Sequence, residues 1–349
     1  YFIAPELLNN TPRLRTIGVY CHEFGHKLGL PDLYDSDGTS QGVGHWCLMG
    51  SGSWCSNTPG TENGQSPSHM SAWCKWFMGW MTPTDRTDQQ VGQDIPQAET
   101  NAFAVRLLAN PGGANDWPGS GEYFLIENRQ QTGFDRGLDG CGVLVWHIDE
   151  ARSNNKNEGH TAGTHRLVDL EEADGTPQDL DVSESTTGNR GDANDPFPGS
   201  SNNTQWDGAS NPGSDLYSGA DSNQRMRTLT ASCNATMRVS FNNRPPVANA
   251  GPDQLDVECT SPAGATVNLT GLGSSDPDAD ALTYLWTAPG IVFDDATSAT
   301  PSATFPSGTK VVTLTVSDGI ESDTDQMTVR VSDTTPPVVN LINAEPSDG

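Results

Sequence analysis

The sequence predicts an α+β region over residues 1–243 followed by a small Ig-like β-sandwich over 244–332. Three observations carry that division. A His/Glu/His signature of helical spacing stands at residues 22–32, and short apolar runs separated by Gly-rich turns fill 102–147. Alternating strand patterns with regularly spaced turns then follow Asn243-Arg-Pro-Pro-Val-Ala-Asn249. Consecutive prolines stop any regular element and stiffen the chain, so that stretch reads as a linker.

Residues 14–30 read as a helix that carries the start of His22-Glu-Phe-Gly-His-Lys-Leu-Gly-Leu-Pro-Asp32. On a helix, His22 and His26 stand at i and i+4, so both imidazoles leave one face about one turn apart and can grip a single ion. Glu23 lies beside that face, where a carboxylate reaches a metal-bound water without ligating the metal. Gly29 ends the helix, because glycine turns the backbone left-handed at no steric cost. The turn brings Asp32 back as a third ligand. Three protein ligands leave one tetrahedral position open, the mark of a catalytic rather than a structural zinc.

Residues 31–66 read as loop, dominated by Gly, Ser, Asn, Asp and Pro. Within them Met49 lies 17 positions after Asp32, in the tight turn Trp46-Cys-Leu-Met-Gly-Ser-Gly-Ser-Trp54. A methionine in such a turn supplies a hydrophobic floor beneath zinc ligands; the plainer reading is a thioether filling a gap in the core. Ser66-Pro67 predicts the start of a second helix, with serine as N-cap and proline at the first helical position. Its Trp73, Trp76, Phe77 and Trp80 recur at helical spacing and read as core beneath the methionine turn.

Residues 149–225 are poor in aliphatics and dense in Asp, Asn, Gly and Ser. Hard oxygen donors at short spacing suit Ca²⁺, and the candidates are Asp169, Glu171, Glu172, Asp174, Asp192 and Asp195. Beyond the linker, residues 266–269, 282–287, 303–305, 310–317 and 326–331 read as strands of the sandwich, with Trp286 in its core. Residues 333–349 read as a linker into a further module.

Composition excludes several classes. A net charge of −27 argues against nucleic acid, whose phosphates need Lys and Arg to release their counterions. The longest apolar run, Cys141 to Ile148, is too short to span a bilayer. Seven cysteines form no C-x-x-C pair, so zinc-finger and thioredoxin-like readings have no support. Six of them fall before residue 243 and allow up to three disulfides, Cys47–Cys55 across the methionine turn among them. Cys259 is left over.

His22 to Asp35, Leu48 to Trp54, Pro67 to Trp80, Tyr123-Phe-Leu-Ile-Glu-Asn-Arg129, Gly142 to Asp149, Val168 to Asp174 and Gly191 to Phe197 together resemble the immune inhibitor A metallopeptidases, secreted bacterial enzymes of the metzincin type. The resemblance implies a metzincin-like fold in which His22, His26 and Asp32 hold zinc, Glu23 is the general base and Met49 is the Met-turn. It implies a secreted zinc endopeptidase acting on proteins or peptides. The family places strands and a helix ahead of the zinc helix, whereas 21 residues precede His22 here, so the expectation is a catalytic region lacking its N-terminal part. Ala248-Asn-Ala-Gly-Pro-Asp-Gln254, Ser275 to Trp286 and Val316-Ser-Asp-Gly319 resemble a PKD domain, an accessory module that would bind protein or polysaccharide. Such domains usually carry glycine where this chain has Ala279. The alternatives are a non-catalytic extracellular binding or adhesion protein that retains the zinc site, or an enzyme inactive only as a fragment.

Overall fold

The computed structural model of the chain describes residues 14–59, 61–108, 116–156, 165–175, 179–181, 189–230 and 233–336. They divide into two compact units, Tyr1–Asn243 and Arg244–Gly349. The expected linker at 333–349 falls largely outside the described residues.

The first unit begins with α1 (Ile17–Lys27), three residues inside each end of the predicted span. Gly29 ends it at φ +99°, and Leu30 N–H closes back on Gly25 O at 3.1 Å, so the left-handed turn occurs where glycine predicts it. The second helix differs from expectation. It is α2 (Ala72–Phe77), capped by Ser71 rather than Ser66. The reason is tertiary. Ser68 N–H donates to Gly52 O at 2.9 Å, His69 O accepts from Leu48 N–H at 3.2 Å, and His69 N–H donates to Asp135 Oδ1 at 2.7 Å. Residues 66–69 thus form an extended strap across the Met49 turn, and these bonds outweigh the local Ser-Pro helix signal.

Nine strands follow: β1 (Thr84–Asp85), β2 (Gln90–Pro96), β3 (Val105–Leu107), β4 (Glu122–Arg129), β5 (Gly142–Asp149), β6 (Val168–Leu170), β7 (Gln205–Trp206), β8 (Met226–Thr228) and β9 (Thr236–Phe241). One sheet runs β1-β3-β4-β5-β6 and the other β2-β9-β8-β7. The central pair β4–β5 is antiparallel and buried on both faces, which is why its sequence is a near-continuous apolar run. Tyr123, Leu125, Leu144, Trp146 and Ile148 join a core with Trp46, Met49 and Trp73. Phe124, Ile126, Val143 and Val145 face the opposite way, into a second core with Ile95, Val239 and Phe241. The unit is therefore layered: the helices and the Met49 turn, the five-stranded sheet, then the four-stranded sheet. A disulfide, Cys141–Cys233, links the residue just before β5 to the stretch leading into β9. The expected Cys47–Cys55 clamp does not form. Cys47 turns its sulfur to Cys74 and Cys55 points to the carbonyl of His45.

The second unit contains β10 (Gln254–Glu258), β11 (Ala265–Asn268), β12 (Thr283–Thr287), β13 (Ser302–Phe305), β14 (Gly308–Ser317) and β15 (Ser322–Ser332). A four-stranded sheet, β10-β15-β14-β12, faces the two-stranded β11-β13. Trp286, Val267, Phe305, Leu314 and Val329 fill the core between them. Strand β10 is absent from the sequence reading: its Gln-Leu-Asp-Val-Glu alternates over only five residues, and none of them is buried. No helix among the described residues is long and apolar enough to cross a membrane.

Candidate metal centre

α1 presents His22 and His26 with ring centroids 4.8 Å apart. The tautomer of each is set by a backbone carbonyl, which can only accept. His22 Nδ1–H donates to Leu48 O at 2.9 Å, and His26 Nδ1–H donates to Leu30 O at 2.9 Å. Both Nε2 lone pairs then point at one place, where Asp32 Oδ1 lies 3.0 Å from His22 and 3.2 Å from His26. Two lone pairs facing a carboxylate repel unless a cation stands among them. Zinc bonds of about 2.0–2.2 Å put tetrahedral ligands about 3.3 Å apart, close to these separations. The donor set His₂Asp, held within 4.8 Å, therefore fits a zinc ion with one position left open.

Charge follows the same geometry. Burial draws the His22 pKa down, but the bonds to Asp32 and Leu48 outweigh it and leave a net rise. Burial lifts Asp32, and the two histidines more than reverse it. Tyr34, which the sequence does not single out, stacks on His22 with centroids 5.9 Å apart and bonds to Asp32; burial and that carboxylate raise its pKa. Glu23, His22, Tyr34 and Arg190 line one cavity of about 410 Å³.

Met49 lies directly under α1. A Cβ at Gly25 would collide with the Met49 sulfur, and one at Gly18 with the carbonyl of Ser53. The helix can settle onto the turn because glycine occupies both contact points, seven residues apart. The turn is tied to the ligand loop as well, for Leu33 N–H donates to Met49 O at 2.9 Å. Its other anchor is a buried charge cluster from β4. Arg129 donates to Trp46 O at 2.8 Å and pairs with Asp135 at 2.8 Å and Glu127 at 3.4 Å. Glu127 in turn accepts from Lys75 at 3.1 Å and from the Trp146 indole at 3.0 Å. Burial opposes charge here, but the neighbouring carboxylates hold Arg129 protonated, and Lys75 and Arg129 hold Glu127 ionised. Glu99, at the margin of the cluster, is pushed up to about 7 by burial and by Asp135. Glu127 and Arg129 of Tyr-Phe-Leu-Ile-Glu-Asn-Arg are thus the support of the Met49 turn, a role that charged residues ending an apolar strand could have signalled.

His45, just ahead of that turn, lies between Asp139 at 2.7 Å and Glu62 at 3.2 Å, and Glu62 also pairs with Arg190 at 2.6 Å. Burial lowers the His45 pKa, but the two carboxylates raise it to about 9.

The six acidic candidates separate. Glu172, Asp174 and Asp195 converge within 4.8 Å. Asp195 also accepts from the Trp46 indole at 2.7 Å, and burial with the charge of Asp192 raises Asp174. The other three do not join the set, although Asp192 borders it, its N–H donating to Asp195 Oδ2 at 3.1 Å. Asp169 pairs with Arg166, Glu171 with His147 at 3.0 Å, and Asp192 accepts from Asn194 N–H at 2.6 Å. In the second unit Asp276, Asp280 and Asp318 also converge, and Ala279 adopts φ +65°, the left-handed conformation that glycine usually supplies at such a turn.

Residues 8–81 match the immune inhibitor A peptidase M6 catalytic domain, and residues 243–332 match a PKD domain. The chain therefore carries an immune inhibitor A-like metallopeptidase segment and a PKD domain. Among curated proteins it is 46% identical over 63 residues to the pre-pro-metalloprotease PrtV of Vibrio cholerae, covering 18% of this chain and 6% of that protein. It is 44% identical over 52 residues to immune inhibitor A of Bacillus thuringiensis, covering 14% of this chain and 8% of that one. The match thus spans less than a tenth of the length of either relative. Among solved structures, the PKD domain of human KIAA0319 is 16% identical with a TM-score of 0.22, covering 28% of this chain and 91% of that domain.

Proposed function

We propose that the chain carries the catalytic segment of a secreted, metzincin-like zinc endopeptidase that hydrolyses peptide bonds in proteins or peptides. The observation that carries this reading is the convergence of His22 Nε2, His26 Nε2 and Asp32 Oδ1, both imidazoles in preset tautomers, with Glu23 and His22 lining one cavity. The names of the two relatives, a metalloprotease and immune inhibitor A, support it.

Zinc, when bound, supplies a Lewis acid that polarises a carbonyl and brings the pKa of a coordinated water towards about 7. The chain's own residues do the rest. Leu48 O and Leu30 O keep the Nδ1 protons in place and so leave both Nε2 atoms free to ligate. Glu23 takes a proton from the attacking water and returns it to the leaving amine. Tyr34 orients Asp32 through their hydrogen bond. The oxidised pair Cys141–Cys233 supports an extracellular setting, since such bonds persist in oxidising compartments. Ca²⁺ at Glu172, Asp174 and Asp195 would be structural, and the PKD unit would engage protein or polysaccharide beside the peptidase.

Glu23→Gln tests the reading. Casein cleavage is expected to fall by at least about 10²–10³-fold while zinc stays near one per chain by metal analysis. Undiminished cleavage by that variant removes the assignment, whereas an unaltered chain that binds zinc but cleaves no casein is a zinc-bearing binding protein.

A further inference from the structure

Two cysteines that the proposed chemistry does not use face each other beneath the candidate metal centre. Cys47 belongs to the Met49 turn and Cys74 to α2. Both are fully buried, and their Sγ atoms lie 3.8 Å apart. We propose that Cys47 and Cys74 close a second disulfide in this unit, which staples the floor of the metal centre to α2.

The segments that carry them are already held close. Leu48 N–H donates to His69 O at 3.2 Å, and Ser71 N–H donates to Cys47 Sγ at 3.2 Å. The same Ser71 caps α2 by accepting from Cys74 N–H at 3.4 Å, so one residue positions both thiols. Closure to a bond of about 2.05 Å requires the sulfurs to approach by less than about 2 Å. The free thiols Cys21 and Cys259 are half-buried, and Cys55 points to a carbonyl instead. Among the described free cysteines, Cys47 and Cys74 are the pair placed in mutual contact.

The chemistry balances with one co-reactant, a disulfide donor such as oxidised glutathione or the disulfide form of a thiol oxidoreductase. The Cys47 thiolate attacks a donor sulfur and expels a donor thiolate. The Cys74 thiolate then attacks Cys47 Sγ in the mixed disulfide and expels the second. Two thiols lose two protons and two electrons, and the donor leaves as two thiols. Because both sulfurs are sealed in the folded unit, exchange takes place before α2 seats on the turn. Once closed, the bond is shielded from reductants.

The test is peptide mapping of the full chain, oxidised in a glutathione redox buffer until Cys141–Cys233 is complete, then alkylated in denaturant without reductant. The expected result is a cross-linked species joining the Cys47 and Cys74 peptides, lost in Cys74→Ser. Alkylated Cys47 and Cys74, or a link from either to Cys55 or Cys21, overturns the proposal. A second readout uses Cys141→Ser/Cys233→Ser, in which no other described pair remains. Folded in the redox buffer it should melt roughly 5–10 °C above the same variant folded and kept in strong reductant, and equal Tm values also overturn the proposal.

Discussion

The His22/His26/Asp32 and Glu172/Asp174/Asp195 clusters belong to one unit and lean on the same turn, yet they are built in opposite ways. Leu48 O fixes His22, while the indole of Trp46, two residues earlier, holds Asp195. The first set comes from 11 consecutive residues, so helical spacing and one glycine turn suffice to assemble it. The second set draws Asp195 from 21 residues beyond Asp174 and exists only when the layers pack. They differ in charge as well. Two neutral imidazoles and one carboxylate suit a borderline-soft ion, whereas three carboxylates repel one another until a hard cation or a proton intervenes. Local geometry makes the first set preorganised; the second depends on the fold around it.

If the shared turn matters to both sets, the largest effect should come from Arg129, which binds its carbonyl at Trp46. Arg129→Met leaves Asp135 buried without its cation and Glu127 with Lys75 alone, and a loss of about 3–5 kcal/mol is expected by denaturant titration, with zinc content falling as well. A loss below about 1 kcal/mol would mean that the turn stands without this cluster.

His45, just ahead of the shared turn, offers a pH handle. Its folded pKa of about 9 lies above the ordinary 6.5, so its stabilisation is complete below pH 6.5 and is lost as pH rises through about 9. The term is roughly 3 kcal/mol. Denaturation midpoints between pH 6 and 10 should therefore fall in the wild type and flatten in His45→Gln; parallel curves would contradict the ion-pair assignment.

Gly25→Ala separates the two sets more finely. Alanine in a helix is worth about 1 kcal/mol over glycine, but the methyl group collides with the Met49 sulfur at a cost of about 1–3 kcal/mol. A net loss of about 1 kcal/mol with weakened zinc binding is expected, and a stabilised variant would show that Met49 does not press on α1.

The smallest effect belongs to Asp174→Asn. Without calcium the variant should gain a few tenths of a kcal/mol from reduced repulsion, and any Ca²⁺-induced rise in Tm should shrink. A calcium response equal to the wild type would remove Asp174 from the site.

By itself the sequence determined the parts whose geometry is local. His22, His26, the turn at Gly29 and the return of Asp32 follow from helical period and left-handed glycine. The sandwich strands follow from alternation, because β14 and β15 pair through a short turn and bury every second residue. Packing decided the rest. Ser66-Pro67 carries every local mark of a helix start, yet hydrogen bonds to Gly52, Leu48 and Asp135 draw residues 66–69 into an extended strap. Cys47 lies 8 residues from Cys55 and 27 from Cys74, and the fold sets it against the farther one. Arg129, Glu127 and Tyr34 acquire their roles only once the five-stranded sheet, α2 and the Met49 turn share a core. Short-range dihedral preferences can be read along a chain, whereas a buried ion pair or a thiol contact depends on which distant residues burial brings together.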